Sequence, residues 1–146
     1  MNQTLSHSAL SRQLQLAALP SAAPWARCMT QQLLAEWQLG TLSDAALLVV
    51  SELVTNAVKA SGNLDCPGLR PVSWQMLALT VQLTDARLRL EVWDPNPVPP
   101  VLQRPDLTSE GGRGLLIVEC LADKWGHHTA AGGKVVWCEI AIPGAA

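Results

Sequence analysis

Residues 51–61 read SELVTNAVKAS and close a longer apolar pattern, DAALLVVSELVTNAVKAS, that begins at Asp44. At about 100° per residue, Asp44, Ser51, Glu52, Thr55, Asn56 and Lys59 fall on one side of a helix. Val50, Leu53, Val54 and Ala57 fall opposite, as a core face requires. Glu52 and Asn56 stand at i and i+4 and point the same way, with Lys59 three residues further on. A solvated face is the plain reading of such a stripe. Leu48 interrupts it one turn before Glu52, which suits a cleft wall, although single exposed leucines are ordinary.

The spacing has a chemical use. A carboxamide oxygen can be one ligand of Mg²⁺, a hard cation that keeps several of its waters. A carboxylate beside it can accept a proton from a hydroxyl or a water. Lys59 can meet a phosphate as a point charge.

Two further stretches fit the same chemistry. EGGRGLLIVE, residues 110–119, places Gly111, Gly112 and Gly114 at a helix start, where free N–H groups and the helix dipole favour an anion, with Arg113 adding a positive fork. A plain turn is the commoner use of such glycines. VWDPNP, residues 92–97, ends a strand pattern on Asp94. A carboxylate there can accept from an exocyclic amine; a turn-initiating Asp before Pro is the plainer alternative.

The totals bound the rest. The chain has 146 residues and is 49% hydrophobic, enough for the core of one domain. Phe and Tyr are absent, so six Trp carry the aromatic bulk, read as core or interface. A net charge of −2 gives no basic footprint for nucleic acid. No apolar run approaches the roughly 18 residues of a membrane span, and residues 1–13 hold no hydrophobic signal core. Cys28, Cys66, Cys120 and Cys138 are unpaired in spacing, as reduced cytosolic thiols would be. The adjacent His127 and His128, near Cys120 and Cys138, match no zinc spacing and read as a surface turn.

Local patterns order the elements. SRQLQL, residues 11–16, alternates as a first strand. WARCMTQQLLAEWQLG, residues 25–40, is a helix closed by Gly40. The second helix runs from about Leu42 to Ser61, with Thr41 and Asp44 as a capping box. Leu77, Leu79, Val81 and Leu83, then Leu88, Leu90 and Val92, alternate as an antiparallel hairpin. Residues 94–112 hold five prolines and read as a functional loop, a lid over a site. GRGLLIVECLADKWG is a short helix and KVVWCEIAI a last buried strand. Helices layered on a mixed, mainly antiparallel sheet follow from that order. The domain is expected over residues 11–146, with a flexible tail over 1–10.

Taken together, SELVTNAVK resembles the N box of the GHKL ATPase superfamily, Asp94 with PNP a degraded first glycine box, and GGRGL the second glycine box. GGKVVWCEI is similar to the family's last strand. The likeness is strongest to bacterial anti-sigma factor serine/threonine kinases and their small ATP-binding relatives. It implies an α+β two-layer sandwich, the Bergerat fold, with ATP between helix and sheet. It implies Asn56 on Mg²⁺, Glu52 as the catalytic base and Lys59 near the phosphates. Asp94 would take the adenine amine, and the turn of Gly112, Arg113, Gly114 and Leu115 would cradle phosphate. Implied partners are a sigma factor and an antagonist protein carrying the accepting Ser or Thr, with homodimerisation common among relatives, and with no direct nucleic-acid or membrane contact. A cytoplasmic regulator follows from that resemblance. A non-catalytic partner-binding module with weak or structural nucleotide binding is the alternative.

Departures from the family pattern are specific. D-x-G-x-G would need glycine at 96 and 98, where Asn96 and Val98 stand. Val is excluded from left-handed backbone geometry, so the loop after Asp94 must take another path. Ala60 stands where many relatives have His, and Val135 where many have Thr.

Overall fold

The computed structural model describes residues 10–62, 75–84, 86–100 and 114–144. In chain order these form β1 (Leu10–Ala17), α1 (Ala22–Glu36), a 3-10 turn (Gly40–Leu42), α2 (Ser43–Gly62), β2 (Met76–Leu83), β3 (Arg87–Asp94), α3 (Gly114–Leu121), β4 (Lys124–Ala130) and β5 (Gly133–Ala141). The five strands lie in the order β1-β2-β3-β5-β4. All four pairings are antiparallel, so the parallel component that a mixed sheet would contain is absent among the described strands.

Alternation decides which face of the sheet is covered. In the β2–β3 hairpin Leu79 stands opposite Val92, and Val81 opposite Leu90, and all four are buried. Cys138 and Ile140 of β5 extend the same face opposite Leu90 and Leu88. The helices close this face. α2 contributes Ala46, Val49, Val50, Leu53, Val54 and Ala57, and it packs on β3 and on both α1 and α3. Full burial of each Val or Leu stabilises the layer by roughly 1.5–3 kcal/mol. The result is the expected two-layer α+β sandwich of the Bergerat type.

Element boundaries differ from the local patterns in ways the backbone explains. α1 begins at Ala22, before Pro24, because a proline in the first turn gives up an N–H that has no intrahelical partner. It ends at Glu36, where Gln38 takes a left-handed φ of 59° and Gly40 starts the 3-10 turn instead of closing the helix. Thr41 lies inside that turn, so α2 starts at Ser43 and Thr41 is not its cap. His127 and His128 sit on the edge strand β4, not in a turn, both exposed. Trp25 is 61% exposed, outside the core. The span Gly40–Ser61 is, by length and a mean hydropathy of 1.3, able to cross a bilayer, contrary to expectation. Its apolar side is the one the sheet and neighbouring helices cover. The expected tail lies outside the described residues except for Leu10, which opens β1.

Candidate functional site

The polar stripe of α2 is not uniformly solvated. Asp44 and Leu48 are exposed in its first half, whereas Glu52, Thr55, Asn56 and Ala60 are half-buried further along. Lys59 is exposed. From α1, Arg27 donates through Nη1 to the Ser51 hydroxyl at 2.9 Å, beside Glu52. Glu52, Asn56 and Ala60 follow at intervals of four, so they form one line along the helix.

That line ends at a link to the sheet. The Asn96 side-chain amide donates to the Ala60 carbonyl at 3.0 Å. Ala60 is within the last turn of α2, where carbonyls lack intrahelical partners, so Asn96 serves the helix end. Its own backbone N–H donates to Asp94 Oδ1 at 2.9 Å, and its Oδ1 accepts from the Val98 N–H at 3.0 Å. These are local Asx-type turns. Neither Asn96 nor Val98 has a positive φ. The loop after Asp94 therefore takes the separate path that a valine at 98 demands.

Asp94 closes β3 on its helix-covered face and is 1% exposed. Its partner came unannounced by any motif. Lys134, directly opposite in the β3–β5 register and 5% exposed, donates from Nζ to Asp94 Oδ1 and to the Asn96 carbonyl, both at 3.0 Å. The signal was present in the parity of β5: Val136, Cys138 and Ile140 point inward, so Lys134 must as well. Val135, expected where relatives carry Thr, faces the other side of the sheet. There it lines a groove of about 450 Å³ with Thr80, Glu91 and Trp93. The position facing Asp94 is Lys134.

Of the remaining expected residues, Leu115 is buried near the start of α3, and Gly114 is that helix's first residue. Gly112, Arg113 and the lid expected over the proline-rich stretch fall outside the described residues beyond residue 100. The structure thus brings Asp94 beside the end of the Glu52–Asn56 line, with α3 packed on the same helix.

A family model described as histidine kinase-like ATPase domain matches residues 16–140. An uncharacterized protein of Streptomyces coelicolor, SCO4941, is 40% identical over 67 residues, which cover 42% of this chain and 64% of that protein. Among solved structures, the RsbU and RsbW domains of Rv1364c from Mycobacterium tuberculosis superpose with a TM-score of 0.61 at 22% identity, over 90% of this chain and 31% of that one. At that identity the likeness is one of fold.

Proposed function

Because the chain belongs to the family of histidine kinase-like ATPase domains, the GHKL superfamily, we propose that it binds ATP with Mg²⁺ beside α2 and passes the terminal phosphoryl group to a Ser or Thr of an antagonist protein. The observation that carries this reading is the half-buried Glu52–Asn56 line running into the Asn96–Ala60 link, with the Asp94 carboxylate at its end. The donor set suits a magnesium nucleotide: a carboxamide oxygen for the metal, a carboxylate for a proton, and a buried carboxylate for an exocyclic amine. Bound ATP supplies a transferable phosphoryl group, whose charge Mg²⁺ offsets.

Asn56 offers its side-chain oxygen to the metal. Glu52, one turn earlier, takes the proton of the accepting hydroxyl. Lys59, exposed, would reach phosphate, and Gly112, Arg113, Gly114 and Leu115 are the proposed phosphate cradle. Asp94 accepts from the adenine amine. A sigma factor is the regulated partner in this reading, which puts the chain in the cytoplasm; a homodimer is the proposed assembly.

Two observations favour a second reading, a binding module without transfer. The glycines of the first glycine box are replaced, and Lys134 already occupies one oxygen of Asp94. Single-turnover transfer from labelled ATP to a co-purified antagonist separates the two. Glu52→Gln keeps the shape of the side chain but removes the base. In the kinase reading ATP binding survives and transfer falls on the order of 10²-fold. Wild-type protein that binds ATP yet labels no antagonist leaves the module reading standing.

A further inference from the structure

The two edges of the sheet differ. β4 bears Lys124, Gly126 and two exposed histidines without apolar alternation, so it offers an incoming strand little to bury. β1, at the other edge, pairs with β2 over eight residues without a bulge or a proline, and it puts Leu10, Leu14 and Leu16 on one face. None of its residues is buried. A long, regular edge of this kind is a template for a further strand.

The register fixes which backbone groups of β1 point outward. Just past the strand, the Ala18 N–H donates to the Gln75 carbonyl, which precedes β2. In an antiparallel pair both backbone groups of a residue point the same way, and the direction alternates along the strand. Leu10, Arg12, Leu14 and Leu16 therefore bond to β2, and Ser11, Gln13, Gln15 and Ala17 direct their N–H and C=O groups away from it. Among the described strands only β2 pairs with β1.

α1 overhangs this edge. Trp25, Met29, Gln32 and Glu36 form one stripe at spacings of four, three and four. Glu36 lies 4.0 Å from Arg12 of β1, so the stripe faces the strand. Trp25 stands three turns back, about 16 Å along the helix, over the Leu16 end. Trp25 is 61% exposed; Leu10, at the opposite end of the same face of β1, is 46% exposed. Two exposed apolar groups at opposite ends of one antiparallel edge are what a two-fold axis brings together.

We propose that the outer edge of β1 and the Trp25 flank of α1 form a two-fold interface with a second copy of this chain. The inference gives a surface to the homodimer of the preceding section and rests on that reading. With the axis at Gln13, the Gln13 backbone pairs with its own copy and Ser11 with the partner's Gln15. Leu10 then lies opposite the partner's Leu16, beneath the partner's Trp25, and the contact is made twice. The covered face of one sheet continues into that of the other, with both helix layers on the same side. The strip is about 26 Å long and, through sheet and helix layer, about 20 Å deep, so the pair buries on the order of 1,000 Å², the lower bound for a specific interface.

Sedimentation velocity of the whole chain over a concentration series, with circular dichroism of each variant, tests this. Wild-type protein should dimerise reversibly. Gln13→Pro removes an N–H that β2 does not use, so it should keep the fold and weaken dimerisation by about tenfold or more. Gln13→Ala keeps that N–H and should match wild-type dimerisation within about threefold. Trp25→Lys, at an exposed helical position, should weaken dimerisation by about tenfold or more. Unchanged dimerisation in Gln13→Pro or in Trp25→Lys, or an equal loss in Gln13→Ala and Gln13→Pro, would overturn this interface and leave the homodimer to another surface. If Gln13→Pro does not fold, Trp25→Lys decides. Wild-type protein that stays monomeric throughout the series overturns both the interface and the homodimer reading.

Discussion

Gly133 opens β5 at the point where that strand passes the end of β3. A Cβ built on it would overlap the Asp94 carbonyl oxygen and stand 2.9 Å from both the Asp94 carbonyl carbon and the Pro95 Cα. All three neighbours are backbone atoms, so no side-chain rotation relieves the contact. The φ of Gly133 is not left-handed, so alanine meets no intrinsic penalty there and the effect of Gly133→Ala is steric. Overpacking costs typically about 1–3 kcal/mol, and a rigid backbone obstacle puts this case near about 3 kcal/mol. The neighbouring Gly132 is the control. Its φ is 79° and nothing lies within 4 Å of its added Cβ, so Gly132→Ala carries only the left-handed penalty, about 1 kcal/mol. Urea unfolding followed by circular dichroism should give midpoints that separate the two variants by about 2 kcal/mol at equal slope. Because the shifted backbone carries Asp94, Gly133→Ala should also weaken ATP binding more than Gly132→Ala. Equal stability loss in the two variants would refute the close approach of β5 to the Asp94 backbone.

Other outcomes follow from single residues. Ala131 and Gly132 make the two-residue β4–β5 turn with φ of 48° and 79°. Turns of positive φ at both positions favour Asn or Gly, so Ala131→Gly should raise the urea midpoint by about 1 kcal/mol of stability; a lower midpoint would contradict the turn geometry. The buried Cys138 thiol is pushed up from 9.0 to about 12, chiefly because burial disfavours the thiolate, against smaller opposing effects of the Leu90 backbone hydrogen bond and nearby Arg89. The unfolded chain then loses this proton from pH 9.0 upward while the folded chain keeps it to about 12, so stability falls across that window. Cys138→Val should flatten the alkaline decline by about 1 kcal/mol per pH unit; an unaltered slope would assign the decline to other groups.

Much of the fold was legible because period-2 and period-3.6 patterns are long here. Leu77 to Val81 and Leu88 to Val92 define the hairpin, and the apolar side of α2 defines the central helix. β4 escaped because KWGHHTA has no apolar alternation, and an edge strand needs none when only one neighbour and a partial cover constrain it. The helix ends escaped because Pro24 in a first turn and Gln38 at left-handed φ replace the expected signals. At the site, Glu52, Asn56 and Asp94 could be chosen by spacing and residue type. Lys134 could not be chosen by motif, since its meaning lies in a partner 40 residues away. It could be chosen by parity once β5 was aligned, and the same parity moves Val135 to the open face. Asn96, which looked like a lost glycine, acts as a positive contact that ties the sheet to α2.

The central claim is that the α2 line and the Asp94 end of the sheet form an ATP–Mg²⁺ site. Isothermal titration of ATP with Mg²⁺ into the wild-type chain and into Asn56→Ala tests it most directly. Saturable, Mg²⁺-dependent binding to wild-type protein is the expected result. Groups that merely orient metal ligands are worth about 10–100-fold in metal affinity, so loss of the ligand itself in Asn56→Ala should weaken binding by about tenfold or more. No saturable binding to wild-type protein, or an unchanged affinity in Asn56→Ala, would contradict it.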